Sequence, residues 1–530
     1  MRESNFVFEV NGKPFIAIAG EVHNSSASNT DYLLKAWQKA KQLELNTVLV
    51  PVYWEMIEPV ENQFELRIVE DIIMQAREHD MHLIFLWFGS WKNAQCMYAP
   101  EWVKKDLVRF PRAQVEKGKN KTRLTEFYGM EYTTLSYLGK ETNKADAKAF
   151  QELVKFIKKV DETHHTVLAV QVENETGLMG SARERSDEAD RLFAGNVPEK
   201  LLVYLKNHTA EMESGLRKKI EVSADSGSWA DIFGDYAEEI FSAYHTAAYV
   251  EEIAAAGKSV YPIPMTVNCW LDKGEEPGKY PSGGPVAKVL EVWKYAAPSI
   301  DIYGPDVYVR DFCQVCDAYT KLQNPLFIPE TATHAHAAPR LVYVIGHHHA
   351  AGYAPFGYED MGEPFTSQDA ILFGMDTSDP LLQHPQSVEE YKWCAHMLKS
   401  MMELITDKYG TDDLQAVISE QNEANPQGYT MLFGEFGFQV IMDIPLVKRT
   451  DGVCMILKEE TDTFYILANG CAIVPFSLDQ NKGNYDIICL EEGKFVKGEW
   501  KPERRLNGDE ATSLCYNEYT LLKLKVFAYS

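Results

Sequence analysis

The chain has no excess of basic residues. Its 78 acidic side chains outnumber 52 lysines and arginines, for a formal net charge of −26, a sign that opposes contact with a phosphate backbone. Nucleic acid is therefore not expected as a partner. Nor is there a run of about 18 apolar residues, the length a membrane helix needs, because charges or prolines interrupt every apolar stretch. No membrane partner is expected. The amino-terminal MRESNFVFEVNGKPF enters an alternating, strand-like pattern without the basic stretch, apolar run and small-residue cleavage site of a secretory signal. A cytoplasmic location is the expectation. The nine cysteines, an odd number scattered from Cys96 to Cys515, make a poor disulfide framework, and free thiols are expected. Only Cys313 and Cys316 form a CxxC pair. With no second pair, and in a helix-like run where i and i+3 share a face, they read as packing residues. Internal repeats of fixed period and low-complexity tracts are also lacking.

What is present is enough material for a large core. Of 530 residues, 45% are hydrophobic and 12% aromatic, and the length exceeds what one barrel usually needs. A second domain is expected. Up to about residue 360, short apolar strands alternate with amphipathic helices, the pattern of a parallel sheet wrapped by helices. Eight strand candidates stand out: Phe15 to Gly20, Thr47 to Tyr53, His82 to Phe88, Val167 to Val172, Pro264 to Asn268, Ile300 to Gly304, Leu326 to Pro329 and Gly352 to Phe356. Several end in polar or aromatic residues, as at the carboxyl-terminal rim of an α/β (β/α)8 TIM barrel. Ile220 to Ala224 is a further strand candidate after the fourth. Gln386 to Ile405 reads as the last barrel helix. From about residue 412, apolar and polar residues alternate between Gly, Asn and Asp turns, an all-β pattern. The expected division is a catalytic barrel over 1–408 and a β-sandwich-like domain over 409–530.

Two carboxylates stand where barrel chemistry is usually placed. Glu175 follows the fourth strand in QVENETG, beside Asn174, and Glu330 follows the seventh in PLFIPETA. A pair of carboxyl groups flanking a glycosidic bond is the minimal apparatus for its hydrolysis, one protonating the leaving oxygen and the other attacking or activating water.

An Asn-Glu pair ending strand four with a Glu ending strand seven resembles the signature of the large clan of barrel-fold retaining glycosidases. Within that clan the chain is similar to glycoside hydrolase family 35, the β-galactosidases. That family reads approximately QxENEYG at strand four, against QVENETG here, and Trp-x-x-His-Glu-Pro after strand two, against Trp54 to Pro59; Glu61-Asn62-Gln63-Phe64 also fits. The similarity is closest to a bacterial subgroup with an added carboxyl-terminal β domain, whose segments resemble GEVHNSS, LWFGSWKN, GKSVYPIPMTVNCW, YPSGGP, IDIYGPDVY and NPLFIPE. It is dense over roughly residues 10–405 and loose in the tail. The resemblance implies Glu175 as acid/base, Glu330 as nucleophile and Asn174 as a donor to the sugar 2-hydroxyl. Tyr308 is either a residue holding Glu330 or a rim tyrosine packed on a loop.

The chain departs from that family at the sugar grip. Where most members have Ala-Glu-Trp at strand three, this one has Gly89-Ser90-Trp91 followed by Lys92 and Asn93; Thr176 replaces a Tyr and Ile57 a His. Lys92 and Asn93 are candidate replacements for the missing carboxylate. Glu21 and His23 at the first rim and Glu359 at the eighth are candidate sugar contacts, or structural groups bonded to loop amides. Trp91 and Trp270 are candidate stacking platforms, while Trp54 reads as core. The histidines His334, His336 and His347 to His349 invite a metal reading. Three consecutive residues point in different directions and cannot all reach one ion, and no HExxH pairing is present. No metal or cofactor is expected, and one or two of these histidines are expected at the leaving-group side of the pocket.

The resulting expectation is a retaining exo-β-glycosidase acting on a small carbohydrate, with galactose the first choice of sugar and homo-oligomerisation left open. The alternatives are an exo-β-glucosidase or transglycosylase with the same pair, and a non-catalytic carbohydrate-binding protein.

Overall fold

The computed structural model describes residues 8–118, 120–127, 130–366, 370–371, 375, 384–421, 428–442, 444–447, 449–479, 481–513 and 515–530. Residues 1–7 of the amino-terminal alternating pattern lie outside them. The rest of that pattern pairs Glu9–Val10 with Lys13–Pro14, turning through Asn11 and Gly12 at positive φ of 53° and 72°, the backbone such a tight turn requires.

Eight successive segments form one parallel sheet: β1 (Ala17–Glu21), β2 (Thr47–Tyr53), β3 (His82–Phe88), β4 (Val167–Val172), β5 (Met265–Trp270), β6 (Ile302–Val307), the split pair β7 (Phe327–Ile328) and β8 (Glu330–Thr331), and β9 (Gly352–Tyr353). Neighbours pair in chain order. The last step closes the ring, because β8 pairs with β6 while β7 pairs with β9, which in turn pairs with β1. The split falls at Pro329, which has no N–H to donate. The strands are nearly continuous runs of buried apolar residues, TVLVPVY and VLAVQV among them, as expected when helices cover one face and packed side chains fill the other. All eight strand candidates are found within a few residues of their expected limits.

Two expectations need correction. Ile220 to Ala224 is no strand: Ser214–Val222 is a helix whose Leu216 and Ile220, four apart, are buried together, and the Glu213 carboxylate caps its start through Gly215 N and Leu216 N. The single helix expected over Gln386 to Ile405 is two, Val388–Ser400 and Met402–Thr406, interrupted at Met401. The Ser387 hydroxyl caps the first.

Beyond residue 412 the chain builds two antiparallel sheets. One has six strands in the order Leu414–Ile418, Val453–Glu460, Thr463–Asn469, Thr520–Tyr529, Asn484–Val496, Glu499–Leu506; the other has four, Tyr429–Phe433, Phe436–Ile441, Cys471–Ser477, Cys515–Tyr516. Met431 and Phe438 of the smaller sheet share a core with Ile456, Phe464 and Leu524 of the larger. The larger sheet also packs against the barrel. The barrel helices include α1 (Lys140–Asp161), α2 (Phe312–Tyr319) and α3 (Ala337–His348), and α3 lies on Leu414–Ile418. At Gly346 the approach is so close that a Cβ would stand 2.6 Å from the Ala416 Cβ and 2.8 Å from the Met455 Cγ. Buried Arg340 pairs with Glu420 at 2.9 Å across the same seam.

All nine cysteines are free, and Cys313 and Cys316 are buried side by side on α2. Among the described residues, no helix is long and apolar enough to cross a membrane.

Candidate active site

The sheet register brings the carboxylates together. Glu330 on β8 is the direct partner of Asp306 on β6, and Asp306 is in turn the partner of Trp270 on β5. Glu175 stands just past β4 in the bends after Val172. Its φ is 45°, and that of Glu173 is 63°, a left-handed backbone that is costly for residues with a Cβ. Two bonds hold it there: Glu175 N donates to Asn268 Oδ1 at 3.0 Å, and Ala94 N donates to the Glu175 carbonyl at 3.1 Å. Oxygen atoms of Glu175, Asp306 and Glu330 all lie within 4.8 Å of one another.

Each oxygen of Glu330 is aimed. Tyr308 donates to Oε2 at 3.1 Å. Oε1 accepts from Asn174 and from Asn268, each at 3.3 Å, and the Lys92 ammonium lies 3.9 Å away. Lys92 is almost wholly buried, its ammonium 4.9 Å from the centre of the Phe88 ring. Burial works against its charge, but Glu330, Glu175, Glu21 and Asp306 outweigh that and hold its pKa above the usual lysine value.

One buried ammonium amid so many carboxyl groups cannot neutralise them all, so protons must remain bound. Burial, reinforced by the charge of Glu330, pushes Glu175 up to about 7. Burial first, then Glu330, raises both Glu21 and Asp306 well above the ordinary carboxylate range. Asp306 accepts from Asn268 Nδ2 at 2.8 Å through Oδ2. Its enclosed Oδ1 has no donor. The pairing of Asp306 with Glu175 is one of acceptor facing acceptor, which is favourable only with a proton between them.

These groups line or underlie a cavity of about 360 Å3 at the carboxyl-terminal rim, walled by Lys92, Asn93, Glu175, Trp270, Asp306 and Glu330, with Lys273, Tyr308 and the His23 loop at its edge. Of the residues expected from sequence, His23, Lys92, Asn93, Glu175, Trp270, Tyr308 and Glu330 face it. Asn174 touches it through Glu330. Glu21 is enclosed, and neither of its oxygens has a hydrogen-bond partner.

Two site expectations are corrected. Trp91 is no platform: it is 1% exposed, and its ring is edge-on to Tyr249 at 4.8 Å, so neither face is open to a sugar. Glu359 does not line the cavity; its oxygens accept from His23 N and Ser26 Oγ, both at 2.7 Å, and tie down the first rim loop. The histidines expected near the leaving group are elsewhere. His336 pairs with Glu420 and His334 with Arg340, while His347 and His349 contact the carbonyls of Ala416 and Leu414 at the seam with the larger C-terminal sheet.

Sequence reasoning passed over Asn268, Asp306 and Lys273, although NCW and PDVY were recognisable rim segments. It also gave no role to Glu173, whose carboxylate accepts from Ser90 N at 3.2 Å and Trp91 N at 2.7 Å and so fixes the third rim. Ser90, standing where the resembled family has its carboxylate, turns into the wall and bonds Asp146 of α1. A Cβ at Gly89 would meet Trp87 Nε1 at 2.4 Å, so this wall accepts nothing larger than glycine there.

The two neighbouring groups able to surround a cation among the described residues are Glu175-Asp306-Glu330 and Asp317-His347-His348. In the first, Lys92 already supplies positive charge.

Residues 392–515 match the family model described as a domain of unknown function, DUF5597, a stretch under a quarter of the chain. No curated protein matches. Solved structures resembling the fold include a β-galactosidase from Bacillus circulans sp. alkalophilus, 14% identical, with TM-score 0.46, covering 74% of this chain and 57% of that one. A GH42 β-galactosidase from G. stearothermophilus is 14% identical, with TM-score 0.47, covering 77% and 59%. The exo-beta-1,4-mannosidase Op5Man5 from Opitutaceae bacterium strain TAV5 is 12% identical, with TM-score 0.41, covering 75% and 62%. The chain thus spans about three fifths of the length of these structures.

Proposed function

We propose that the chain is a retaining exo-β-glycosidase, with Glu330 the nucleophile and Glu175 the acid/base, acting on a small carbohydrate with a terminal β-linked sugar. The observation that carries this reading is the approach of Glu175 and Glu330 oxygens to within 4.8 Å at the rim of a barrel cavity. Retaining enzymes hold their carboxyl groups about 5 to 5.5 Å apart, whereas inverting ones need about 6.5 to 9.5 Å to admit a water. The environments divide the roles. Glu175, raised to about 7, keeps a proton for the leaving oxygen at neutral pH. Glu330 lies beside the ammonium of Lys92 and is held by donors from Tyr308, Asn174 and Asn268, the surroundings of an aimed nucleophile.

In the first step Glu330 attacks the anomeric carbon as the Glu175 proton passes to the departing oxygen. In the second, Glu175 takes a proton from water, which displaces Glu330 and restores the starting configuration. Asn174, one of whose contacts is Glu330 itself, takes in this reading the bond to the 2-hydroxyl, a contact that tightens as positive charge develops on the ring.

The sequence motifs favour family 35 and a galactoside, within a catalytic unit of residues 1–408 and an accessory β unit of 409–530. A panel of nitrophenyl β-galactoside, β-glucoside and β-mannoside, with the anomer of the first-formed product read by proton NMR, tests sugar and stereochemistry together. A first-formed α-anomer would overturn retention. Preference for the glucoside or mannoside would keep the catalytic pair and replace galactose.

A further inference from the structure

Far from the cavity, α2 and the end of α3 bring three potential metal ligands together at the seam with the larger C-terminal sheet. We propose that Asp317, His347 and His348 form a binding site for a divalent transition-metal ion of the zinc class. One ligand atom from each lies within 4.8 Å of the others.

The ring orientations support coordination. His347 Nδ1 lies 3.1 Å from the Ala416 carbonyl, which can only accept, so Nδ1 carries the hydrogen and, in the neutral ring, Nε2 keeps its lone pair. An imidazole held by one N–H on a backbone carbonyl, with the other nitrogen bare, is the usual arrangement of a metal-bound histidine. His348 Nε2 is enclosed and has no hydrogen-bond partner, on a side chain only 6% exposed, and it points toward Asp317 Oδ1 at 3.8 Å. A buried nitrogen left without a partner is costly, and an ion would satisfy it.

The three consecutive histidines do not act as a set. His349 takes a left-handed backbone at φ 53°, and its ring accepts from Gly410 N at 2.9 Å while contacting the Leu414 carbonyl at 3.2 Å. The helix end thus sends His349 away and leaves His347 and His348 with ring centres 4.7 Å apart.

Bond lengths of about 2.0 to 2.2 Å place the ligand atoms of a tetrahedral ion roughly 3.3 to 3.6 Å apart. The separations here need modest closure. Asp317, 68% exposed, and His347, also exposed, are the side chains free to make it. Two imidazoles and a carboxylate select zinc, nickel or copper over magnesium or calcium, and three protein ligands leave a fourth position for water or an exogenous donor. The Ala416 contact also makes the ion a brace across the seam.

Zinc titration of the chelator-stripped full chain by calorimetry tests the site, with melting temperature as a second readout. One equivalent is expected to bind and raise the melting temperature, because the ion binds the folded chain. His347→Gln and His348→Gln should each weaken binding by on the order of 10-fold or more, Asp317→Asn should weaken it less, and Glu330→Gln should leave it unchanged. The glutamine variants keep the seam filled, and their melting temperatures without zinc report whether they fold. Absence of saturable binding, binding undiminished in the double His347→Gln/His348→Gln variant, or loss on Glu330→Gln alone would each overturn the proposal.

Discussion

Asn268 donates to Asp306 Oδ2 at 2.8 Å and, through the same nitrogen, to Glu330 Oε1 at 3.3 Å, while its carbonyl accepts the amide of Glu175. One neutral side chain on β5 thus sets the relative placement of three carboxyl-bearing residues from three other strands. Asn268→Ala would leave the buried oxygens of Asp306 and Glu330 short of a donor, at about 1 to 3 kcal/mol each. The expected result is a loss in kcat of roughly 10- to 100-fold with KM nearly unchanged. A change confined to KM would make Asn268 a substrate contact instead.

The catalytic pair should separate by leaving group. Glu330→Gln is expected to abolish turnover of every nitrophenyl glycoside, because no covalent intermediate can form. Glu175→Gln should retain activity on dinitrophenyl substrates, whose departure needs no proton. Equal loss in the two variants on a dinitrophenyl glycoside would contradict the assigned roles.

With Glu175 as the proposed acid, kcat/KM on a poor leaving group should fall as pH rises through about 7. Asp306 beside Glu175 holds the pKa of Glu175 down, so Asp306→Ala is expected to move the alkaline limb upward, whereas Asp306→Asn, which keeps a donor, should move it less. A downward shift in the alanine variant would show that Asp306 is ionised beside Glu175.

Galactose and glucose differ in one hydroxyl, and the proposed readers of it are Lys92 and Asn93, which line the cavity, with buried Glu21 beneath them. The two oxygens of Glu21 and Oδ1 of Asn93 have no partner in the protein, so a correctly placed sugar hydroxyl satisfies atoms that the wrong epimer leaves unpaired. Glu21→Ala and Asn93→Ala should lower kcat/KM for the preferred sugar and narrow its lead over the 4-epimer by about 5- to 100-fold. Unchanged preference in both would place specificity in another loop.

The seam between barrel and C-terminal sheets depends on Gly346. Adding a side chain there drives atoms into Ala416 and Met455, and Gly346→Val is expected to destabilise the chain by about 1 to 3 kcal/mol, read by chemical denaturation. A midpoint unchanged from the parent chain would show that α3 can shift without cost.

The barrel strands were legible because runs such as TVLVPVY and VLAVQV are buried on both faces, and burial of that kind leaves an apolar trace over consecutive residues. Ile220 was misread because a short apolar cluster has the same appearance in a strand and on one face of a helix; only its pairing with Leu216 at a spacing of four, beneath a Glu213 cap, separates the two. The rim positions of Glu175 and Glu330 were legible because each directly follows a recognisable strand. Asn268 and Asp306 lie near the ends of theirs, but their roles arise from register with residues far along the chain.

The amino-acid sequence by itself determined which segments are strands, which rim residues end them, and that two carboxylates could act as a pair. Local patterns of burial and spacing suffice for that. Tertiary structure alone decided that Trp91 is enclosed, that Glu359 is occupied by the His23 loop, that Asp306 stands beside Glu175 and Glu330, and that His347 and His348 turn toward Asp317 while His349 turns away. Those outcomes depend on distances between residues remote in sequence and on which polar atoms are left without a partner, and neither is a property of any single segment.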